Sequence, residues 1–295
     1  MQSPNHVARA GEVAVEVRRL SAGSPLATTD HVVREDPLQV LVDSRPLGIL
    51  MRTPGADLEL ALGLLHSEQI VRSRAEVAMV RMAPSGQGML GNMGLEVELD
   101  PEVENLVDIH LLHPWTPASS GWQRALTSSS ACGICGATTV DAIRRTHPNV
   151  GGAGTFEPER LRKLPDLLQL SQRLFRSTGG LHAAGLLLPG SDVLEVAEDV
   201  GRHNAVDKLV GRMFLADRLP LTDSCLVVSG RAGFEIVQKA AAAGIAVVAS
   251  ISAPSSLAVE VAESTGITLV GFLRPGGGNV YTHAEKLTSQ PGVLR

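Results

Sequence analysis

The segment CLVVSGRAGFEIVQKAAAAGIAVVASISAPSSLAVEVAESTGITLVGFLR (residues 225–274) alternates short aliphatic runs with longer stretches of helical periodicity. Short apolar runs bounded by turn residues are typical of strands that are buried on both faces of a sheet. The predicted strands are residues 225–228, 246–251 and 268–272, and the predicted helices are residues 233–242 and 256–263. Strands and helices in this order predict a βαβαβ unit with a parallel sheet.

A loop rich in small residues follows each predicted strand. The loops are Ser229-Gly230-Arg231, residues 252–255 and residues 274–278. Loops that follow parallel strands emerge at one edge of the sheet, where ligands bind, and the first two also precede helix N-termini that can bind phosphate. Arg231 and Arg274 would place two cations there, which suits a pyrophosphate. None of the loops has a nucleotide-binding fingerprint, so ordinary caps and turns remain the alternative.

The residues before this unit fall into two parts. Apolar runs predict a hairpin (residues 38–42 and 47–51), a helix (58–66) and strands near 77–80 and 95–99. A stretch rich in Pro, Ser, Thr and Gly at residues 115–130 marks a boundary. Beyond it we predict helices at 138–145 and 164–175, a hairpin (181–188 and 193–196) and a helix from Asn204. The sequence therefore predicts an α/β protein with a smaller β-rich N-terminal subdomain, residues 1–125, and an α/β core, residues 126–295.

Composition limits the classes of function. Hydrophobic residues make up 44% of the chain, aromatic residues only 3%, and the formal net charge is -5. A chain with few aromatic rings and no excess of positive charge is a poor binder of nucleic acid or of anionic membranes. Its N-terminus has neither the apolar core nor the composition of a targeting peptide. We therefore expect a cytoplasmic protein with no nucleic acid and no membrane among its partners.

Cys132 and Cys135 form a Cys-x-x-Cys pair inside a loop of Ser and Gly residues. Such a pair serves as half of a zinc site, as a thioredoxin-like dithiol, or as a nucleophile with a partner thiol. The third cysteine, Cys225, lies within an apolar run and is best interpreted as an inert buried thiol. If a helix begins after the pair, its N-terminus would lower the thiol pKa and favour a thiolate that can carry sulfur. We expect no resident metal.

His182 offers an alternative function. With Cys132 and Cys135 it completes a His-Cys-Cys set of the kind that zinc nucleobase deaminases use. Those enzymes need a glutamate two residues after the histidine, where this chain has Ala184. A satisfied core histidine is the plainer interpretation of His182, just as a solvated helix face is the plainer interpretation of Arg202, Asp207 and Lys208.

Several blocks, in order, resemble the formate dehydrogenase accessory sulfurtransferase (FdhD) family. The blocks are the region around Arg45, MRTPG (residues 51–55), the cysteine loop, GLHAA (180–184), GRHNAVDK (201–208), Ser229-Gly230-Arg231 and FLRPG (272–276). The resemblance implies a cytidine-deaminase-like core without deaminase chemistry, and a homodimer. It also implies that sulfur passes from a cysteine desulfurase to the Mo-bis(molybdopterin guanine dinucleotide) cofactor, which then enters the catalytic subunit of formate dehydrogenase.

The resemblance also assigns roles to residues. It places the persulfide on Cys132, with Cys135 as its partner. The cofactor, or a GDP-like nucleotide in its place, is expected to bind at the block near the C-terminus together with the Ser229-Gly230-Arg231 loop. That block comprises Phe272, Leu273, Arg274, Pro275, Gly276 and Gly277. The family has a second basic residue where this chain has Gly277, so Arg231 or Arg202 is expected to supply that charge. The competing class is a cofactor chaperone that has phosphate-binding loops but no reactive thiol.

Overall fold

A computed structural model of the chain describes residues 11–20, 25–86, 94–115, 150 and 156–288. The strands are β1 Glu12–Arg19, β2 Leu26–Val33, β3 Asp36–Val42, β4 Arg45–Arg52, β5 Val77–Met82, β6 Glu96–Leu99, β7 Leu106–Leu111, β8 His182–Leu187, β9 Leu194–Asp199, β10 Cys225–Val228, β11 Val247–Ser250, β12 Thr268–Arg274 and β13 Gly277–Val280. The helices are α1 Asp57–Ser67, α2 Pro158–Ser171, α3 Arg173–Thr178, α4 Arg202–Leu215, α5 Phe234–Ala242 and α6 Ser256–Thr265.

The second half of the chain forms a six-stranded sheet in the order β13-β12-β11-β10-β8-β9. β10, β11 and β12 are parallel, as predicted, while β8 runs antiparallel to β10 and pairs with β9. Alternate strand residues face different helices: Leu226 and Val248 pack with α4, α5 and α6, and Val227 and Val247 pack with α2. Helices on both faces bury β10 and β11 completely, which explains their continuous apolar runs.

The first half of the chain forms a five-stranded sheet in the order β4-β3-β7-β5-β6. The predicted hairpin is confirmed as β3 and β4, which are joined through Asp43 and Ser44. Both turn residues have positive φ, 50° and 61°, as two-residue hairpin turns require. All residues of α1 are buried, because this helix lies between the sheet and α4. The mixed α/β architecture predicted from the sequence is confirmed.

Helices α1 and α4 cross in direct backbone contact. A Cβ atom added at Gly63 would lie 1.9 Å from the carbonyl oxygen of Asp207, and one added at Gly211 would lie 1.8 Å from that of Glu59. Because no side chain fits at either position, the two glycines allow the helices to pack this closely. Beyond the crossing, Phe214 and Leu215 of α4 enter the core of the five-stranded sheet. Helix α4 therefore contributes to the cores of both sheets.

A buried polar network also joins the two halves. Lys208 Nζ lies 2.6 Å from Asp199 Oδ2 and donates to the carbonyl oxygen of Thr53 at 2.8 Å. The same carboxylate accepts from the backbone N–H groups of Thr53 and Gly201 and from the side-chain amide of Asn204. Each charge is thus balanced and hydrogen-bonded, as burial requires.

The interpretation of Asp207 and Lys208 as a solvated helix face is wrong. Asp207 is 2% exposed and Lys208 is 3% exposed. Asp207 accepts two hydrogen bonds from Lys239 at 2.8 Å and one from Ser67 at 3.0 Å. Asp207 faces α1 and α5, whereas Lys208 faces the end of β9 and the residue that follows β4. The sequence of α4 alone does not reveal these neighbours.

Other boundaries differ from the predictions. The predicted helix 164–175 is two helices, α2 and α3. The sequence analysis did not predict four of the strands, which are β1, β2, β7 and β13. The predicted helix 138–145 and the proposed boundary between residues 125 and 126 lie outside the described residues. Among the described residues, no helix is long and apolar enough to cross a membrane.

Candidate functional site

The loops after β10 and β11 lie side by side, as predicted. Ala232 and Pro254 form an isolated parallel bridge, and the N–H of Ser255 donates to the carbonyl oxygen of Ala232 at 3.1 Å. Ser229 is anchored to the start of β8 because its N–H donates to Ala183 O and its hydroxyl accepts from Ala183 N–H, both at 2.9 Å. This edge of the six-stranded sheet is therefore a continuous row of short loops.

Arg274 lies at the same edge but not in a loop, so the predicted loop at residues 274–278 is wrong in part. Arg274 ends β12 and pairs with Gly277, the first residue of β13, so Pro275 and Gly276 form a two-residue hairpin turn. The guanidinium Nη1 donates to the carbonyl oxygens of Ile251 at 2.5 Å and of its neighbour Leu273 at 2.7 Å. These bonds hold an exposed cation over the end of β11, with its other N–H groups available to an anion.

Phe272 has an unusual backbone conformation in the predicted cofactor block. Its φ is +52°, in the left-handed region that bulky residues avoid, and its side chain is 46% exposed. The conformation is held by a hydrogen bond of 3.0 Å from Phe272 N–H to Ser252 O. At the preceding residue, Gly271, a Cβ would lie 2.7 Å from Pro254 Cδ, so the lack of a side chain lets β12 approach Pro254 this closely. Such strain is characteristic of ligand-binding positions, and here it presents an aromatic ring to solvent.

His182 begins β8 and lies at the same edge, because β8 runs antiparallel to β10. A Cβ at Gly230 would lie 3.3 Å from His182 Nδ1 and 3.9 Å from Arg202 Cδ, so these three residues are adjacent. The imidazole is half-buried, and the described residues supply it with no hydrogen-bond partner. Burial, and then the nearby charge of Arg202, lower the pKa of His182, which keeps the ring neutral at pH 7.

Two helices begin at this edge without side-chain caps. Gly201 precedes α4 and Gly233 precedes α5, and neither can cap the first turn with a side chain. His203 Nε2 lies 3.0 Å from Glu235 Oε2 and links the two helix starts. By contrast, Ser255 caps α6 by accepting from Ala258 N–H at 3.2 Å. The alternative that the loop at residues 252–255 is an ordinary cap or turn is therefore confirmed for Ser255. Uncapped first-turn N–H groups favour bound anions.

The sheet edge therefore combines these helix starts with the basic side chains of Arg202, Arg231 and Arg274. For Arg202 and Arg231, the described residues supply no hydrogen-bond or ion-pair partner. Arg274 uses only backbone carbonyls. Such an edge can bind a phosphate-bearing ligand. Sequence reasoning predicted Arg231 and Arg274 from their positions after strands, but it brought Arg202 into the site only through the resemblance. The signal for Arg202 was its place one residue after Gly201, at the predicted start of a helix.

Cys225 is the cysteine that the described residues include, and it is buried as predicted. Cys225 is fully buried in the core of β10, and burial strongly raises the pKa of its thiol. A thiol that stays protonated and inaccessible cannot act as a nucleophile. Cys132 and Cys135 lie outside the described residues.

The position that a deaminase would need for catalysis carries no carboxylate. Ala184, two residues after His182, is fully buried and pairs with Val228 on one side and Ala197 on the other. The described ranges also contain no group of three or more His, Cys, Asp or Glu side chains that could hold a metal ion. The geometry therefore gives the deaminase alternative no support.

The chain resembles proteins of known type over most of its length. It is 41% identical to "Sulfur carrier protein FdhD" of Mycobacterium tuberculosis over 274 residues, which cover 92% of this chain and 97% of that protein. It is 42% identical to the protein of the same name from Streptomyces coelicolor over 285 residues, covering 94% and 96%. A crystal structure of a candidate formate dehydrogenase accessory protein from Desulfotalea psychrophila has the same fold, with a TM-score of 0.70 and 22% identity over 94% of this chain and 100% of that one.

The family match extends over both sheets and over the cationic edge. Residues 33–288 match the FdhD/NarQ family, and this range begins at the end of β2 and ends beyond β13. The sequence blocks around His182, Arg202, Arg231 and Arg274, which the fold brings to one edge, all lie within it. The chain is a member of the FdhD/NarQ family.

Proposed function

We propose that this protein is a sulfur carrier that takes sulfur from a cysteine desulfurase and delivers it to the Mo-bis(molybdopterin guanine dinucleotide) cofactor of formate dehydrogenase. The observation that carries the proposal is the burial of Cys225. The chain has three cysteines, so any sulfur chemistry in it belongs to Cys132 and Cys135. The names of its relatives and the cationic sheet edge agree with a protein that carries sulfur and also binds an anionic cofactor.

The first transfer is a thiol exchange. The Cys132 thiolate attacks the terminal sulfur of the desulfurase persulfide, the desulfurase cysteine leaves as a thiolate, and Cys132 becomes a persulfide. In the second transfer, the Cys135 thiolate attacks Sγ of Cys132. A disulfide forms, and the terminal sulfur leaves as sulfide for the molybdenum of the bound cofactor. A cellular dithiol then reduces the disulfide. The two cysteines thereby supply the electrons that convert the carried sulfur into sulfide.

The sheet edge supplies the cofactor site in this proposal. The pyrophosphate of a guanine dinucleotide end is bound by Arg274, Arg231 and Arg202 and by the uncapped starts of α4 and α5. Gly277, where the family has a basic residue, provides no charge, and Arg202 lies near Gly230 to supply it. The catalytic subunit of formate dehydrogenase is the final acceptor of the cofactor.

Arg274→Ala is expected to weaken GDP binding by roughly ten- to a hundredfold, because it removes a charge-assisted contact to phosphate. Isothermal titration calorimetry measures the change. Arg218→Ala is the matched control, since Arg218 is exposed and follows the C-terminal end of α4, far from the sheet edge. Unchanged affinity in both Arg274→Ala and Arg231→Ala would mean that the phosphates bind elsewhere.

We infer in addition that the six-stranded sheet with its helices is a cytidine-deaminase-like core, residues 126–295, and that residues 1–125 form the smaller subdomain. Helices on both faces of the sheet support this assignment, as does the separate core of the five-stranded sheet. We further propose that the protein acts as a homodimer. Sedimentation velocity of the purified chain tests that assignment directly.

A further inference from the structure

Glu59 is a buried carboxyl group at the crossing of α1 and α4. It belongs to the first turn of α1 and is 4% exposed, and Gly211 of α4 packs against its backbone carbonyl. The side-chain Oε2 is buried, and the residues that the structure describes supply it with no hydrogen-bond donor. A buried carboxylate oxygen without a donor is costly, whereas a protonated carboxyl group has no charge to be solvated.

Two cations of α4 act on Glu59, and both are bound to other carboxylates. Lys208 Nζ lies 2.6 Å from Asp199 Oδ2, and Arg212 Nη1 lies 3.5 Å from Glu195 Oε2. An ionised Glu59 would therefore be a third carboxylate shared between two cations. Neither cation is available to Glu59 without weakening an existing ion pair.

The other elements around α1 offer Glu59 no counter-ion either. Asp57, on the same helix, is an anion held by Arg52 at 2.9 and 2.7 Å, and its charge opposes a second negative charge nearby. On α5, Lys239 is bound to Asp207. The five-stranded sheet packs against α1 with apolar side chains. Within the described part of the chain, an ionised Glu59 would have no ion-pair partner.

Burial decides the protonation of Glu59. Burial raises the pKa of Glu59 above its ordinary value of 4.5, and the charge of Asp57 adds to this effect. A hydrogen bond from its own backbone N–H and the charges of Arg212 and Lys208 favour the ionised form, but they do not outweigh burial. The folded protein therefore holds a proton at a pH at which the unfolded chain has released it.

We propose that Glu59 is a neutral acid in the folded protein near neutral pH, and that its ionisation at higher pH weakens the contact between the two halves of the molecule. The ionised side chain would compete with Asp199 for Lys208, whose bonds to Asp199 and Thr53 link those halves. The Asp199 carboxylate also accepts from Gly201 N–H, directly before α4. The effect of ionisation would thus reach the helix start at the edge of the six-stranded sheet.

Urea denaturation over about pH 5 to 9 tests the proposal with the wild-type protein and Glu59→Gln, whose side chain imitates the neutral acid. The stability that neutral Glu59 supplies is complete below its ordinary pKa of 4.5 and is lost as the pH rises through the raised pKa of the folded state. Between these two values, unfolding releases one proton from Glu59. The unfolding constant of the wild-type protein is therefore expected to rise, relative to that of Glu59→Gln, by about tenfold per pH unit.

Glu260→Gln is the matched control, because it removes an exposed carboxylate of α6. Its unfolding constant is expected to run parallel to that of the wild-type protein. A ratio between wild type and Glu59→Gln that stays constant over the whole pH range would overturn the proposal, because Glu59 would then ionise at the same pH in both states.

Infrared difference spectroscopy of the wild-type protein is a second test that needs no variant. Ordinary carboxyl groups are almost fully ionised at about pH 6, so a carboxylic acid C=O band that is present there and lost at about pH 9 reports a buried neutral acid. We expect such a band, and its absence at about pH 6 would also overturn the proposal. Neither test involves sulfur or a cofactor, so both outcomes are independent of the proposed function.

Discussion

Replacing Cys132 with alanine is expected to abolish the maturation of formate dehydrogenase. In the proposed mechanism no other residue can take over the transfer, because the Cys132 thiolate both accepts sulfur from the desulfurase and holds it. Maturation is measured as formate oxidation in cells that lack the native gene and carry the variant on a plasmid. We expect activity at the level of the empty plasmid.

Cys225→Ala is the matched control for this experiment. It also removes one thiol, but from a position that is fully buried in β10. The variant loses a little packing and is expected to retain near-normal maturation. Normal maturation by Cys132→Ala would refute the carrier role of Cys132, and loss of maturation by a folded Cys225→Ala protein would show that the wrong cysteine has been chosen.

Lys208→Met is expected to lower the free energy of unfolding by about 3–5 kcal/mol, the usual effect of removing one partner of a buried ion pair. The side chains of Lys208 and Asp199 are 4% and 0% exposed, so the remaining carboxylate would be left without its counter-ion. Thr53 O would also lose its donor, which weakens the contact between the two halves of the molecule. Urea denaturation followed by circular dichroism gives the value.

Lys163→Met is the control, since Lys163 is exposed on α2 and is expected to change stability by less than about 0.5 kcal/mol. Adding Asp199→Asn to Lys208→Met removes the unbalanced charge and is expected to recover part of the loss. A small effect of Lys208→Met alone, similar to that of the control, would mean that the network does not join the two sheets.

The parallel sheet was predictable because its strands are buried on both faces. The continuous apolar runs of β10, β11 and β12 are typical of strands that are covered on both faces of a sheet. The loops that follow parallel strands lie at one edge of that sheet. The strand β13 was not predictable in the same way. Its residues Gly277–Val280 include glycines and exposed positions, and the strand forms through pairing with β12 and the Pro275-Gly276 turn.

The candidate site was predictable only where its residues follow strands. Arg231 does so, and Arg274 is the last residue of β12. His182 and Arg202 reach the same edge because β8 runs antiparallel to β10 and because α4 begins beside it, and neither fact is encoded locally. The burial of Asp207 was not predictable for a related reason. It depends on Gly63 and Gly211, which bring α1 and α4 together although the two helices are far apart in sequence. Lys208 is buried against Thr53, which is also distant in sequence.

Carriage of sulfur on Cys132 is central to the proposed function. Intact-mass spectrometry of the purified chain, after incubation with a cysteine desulfurase and cysteine, tests it most directly when single variants of each cysteine are compared. We expect the wild-type, Cys135→Ala and Cys225→Ala proteins to gain the mass of one sulfur atom that a reductant removes, and Cys132→Ala to gain none. A reducible sulfur adduct on Cys132→Ala as abundant as that on the wild-type protein would contradict the account.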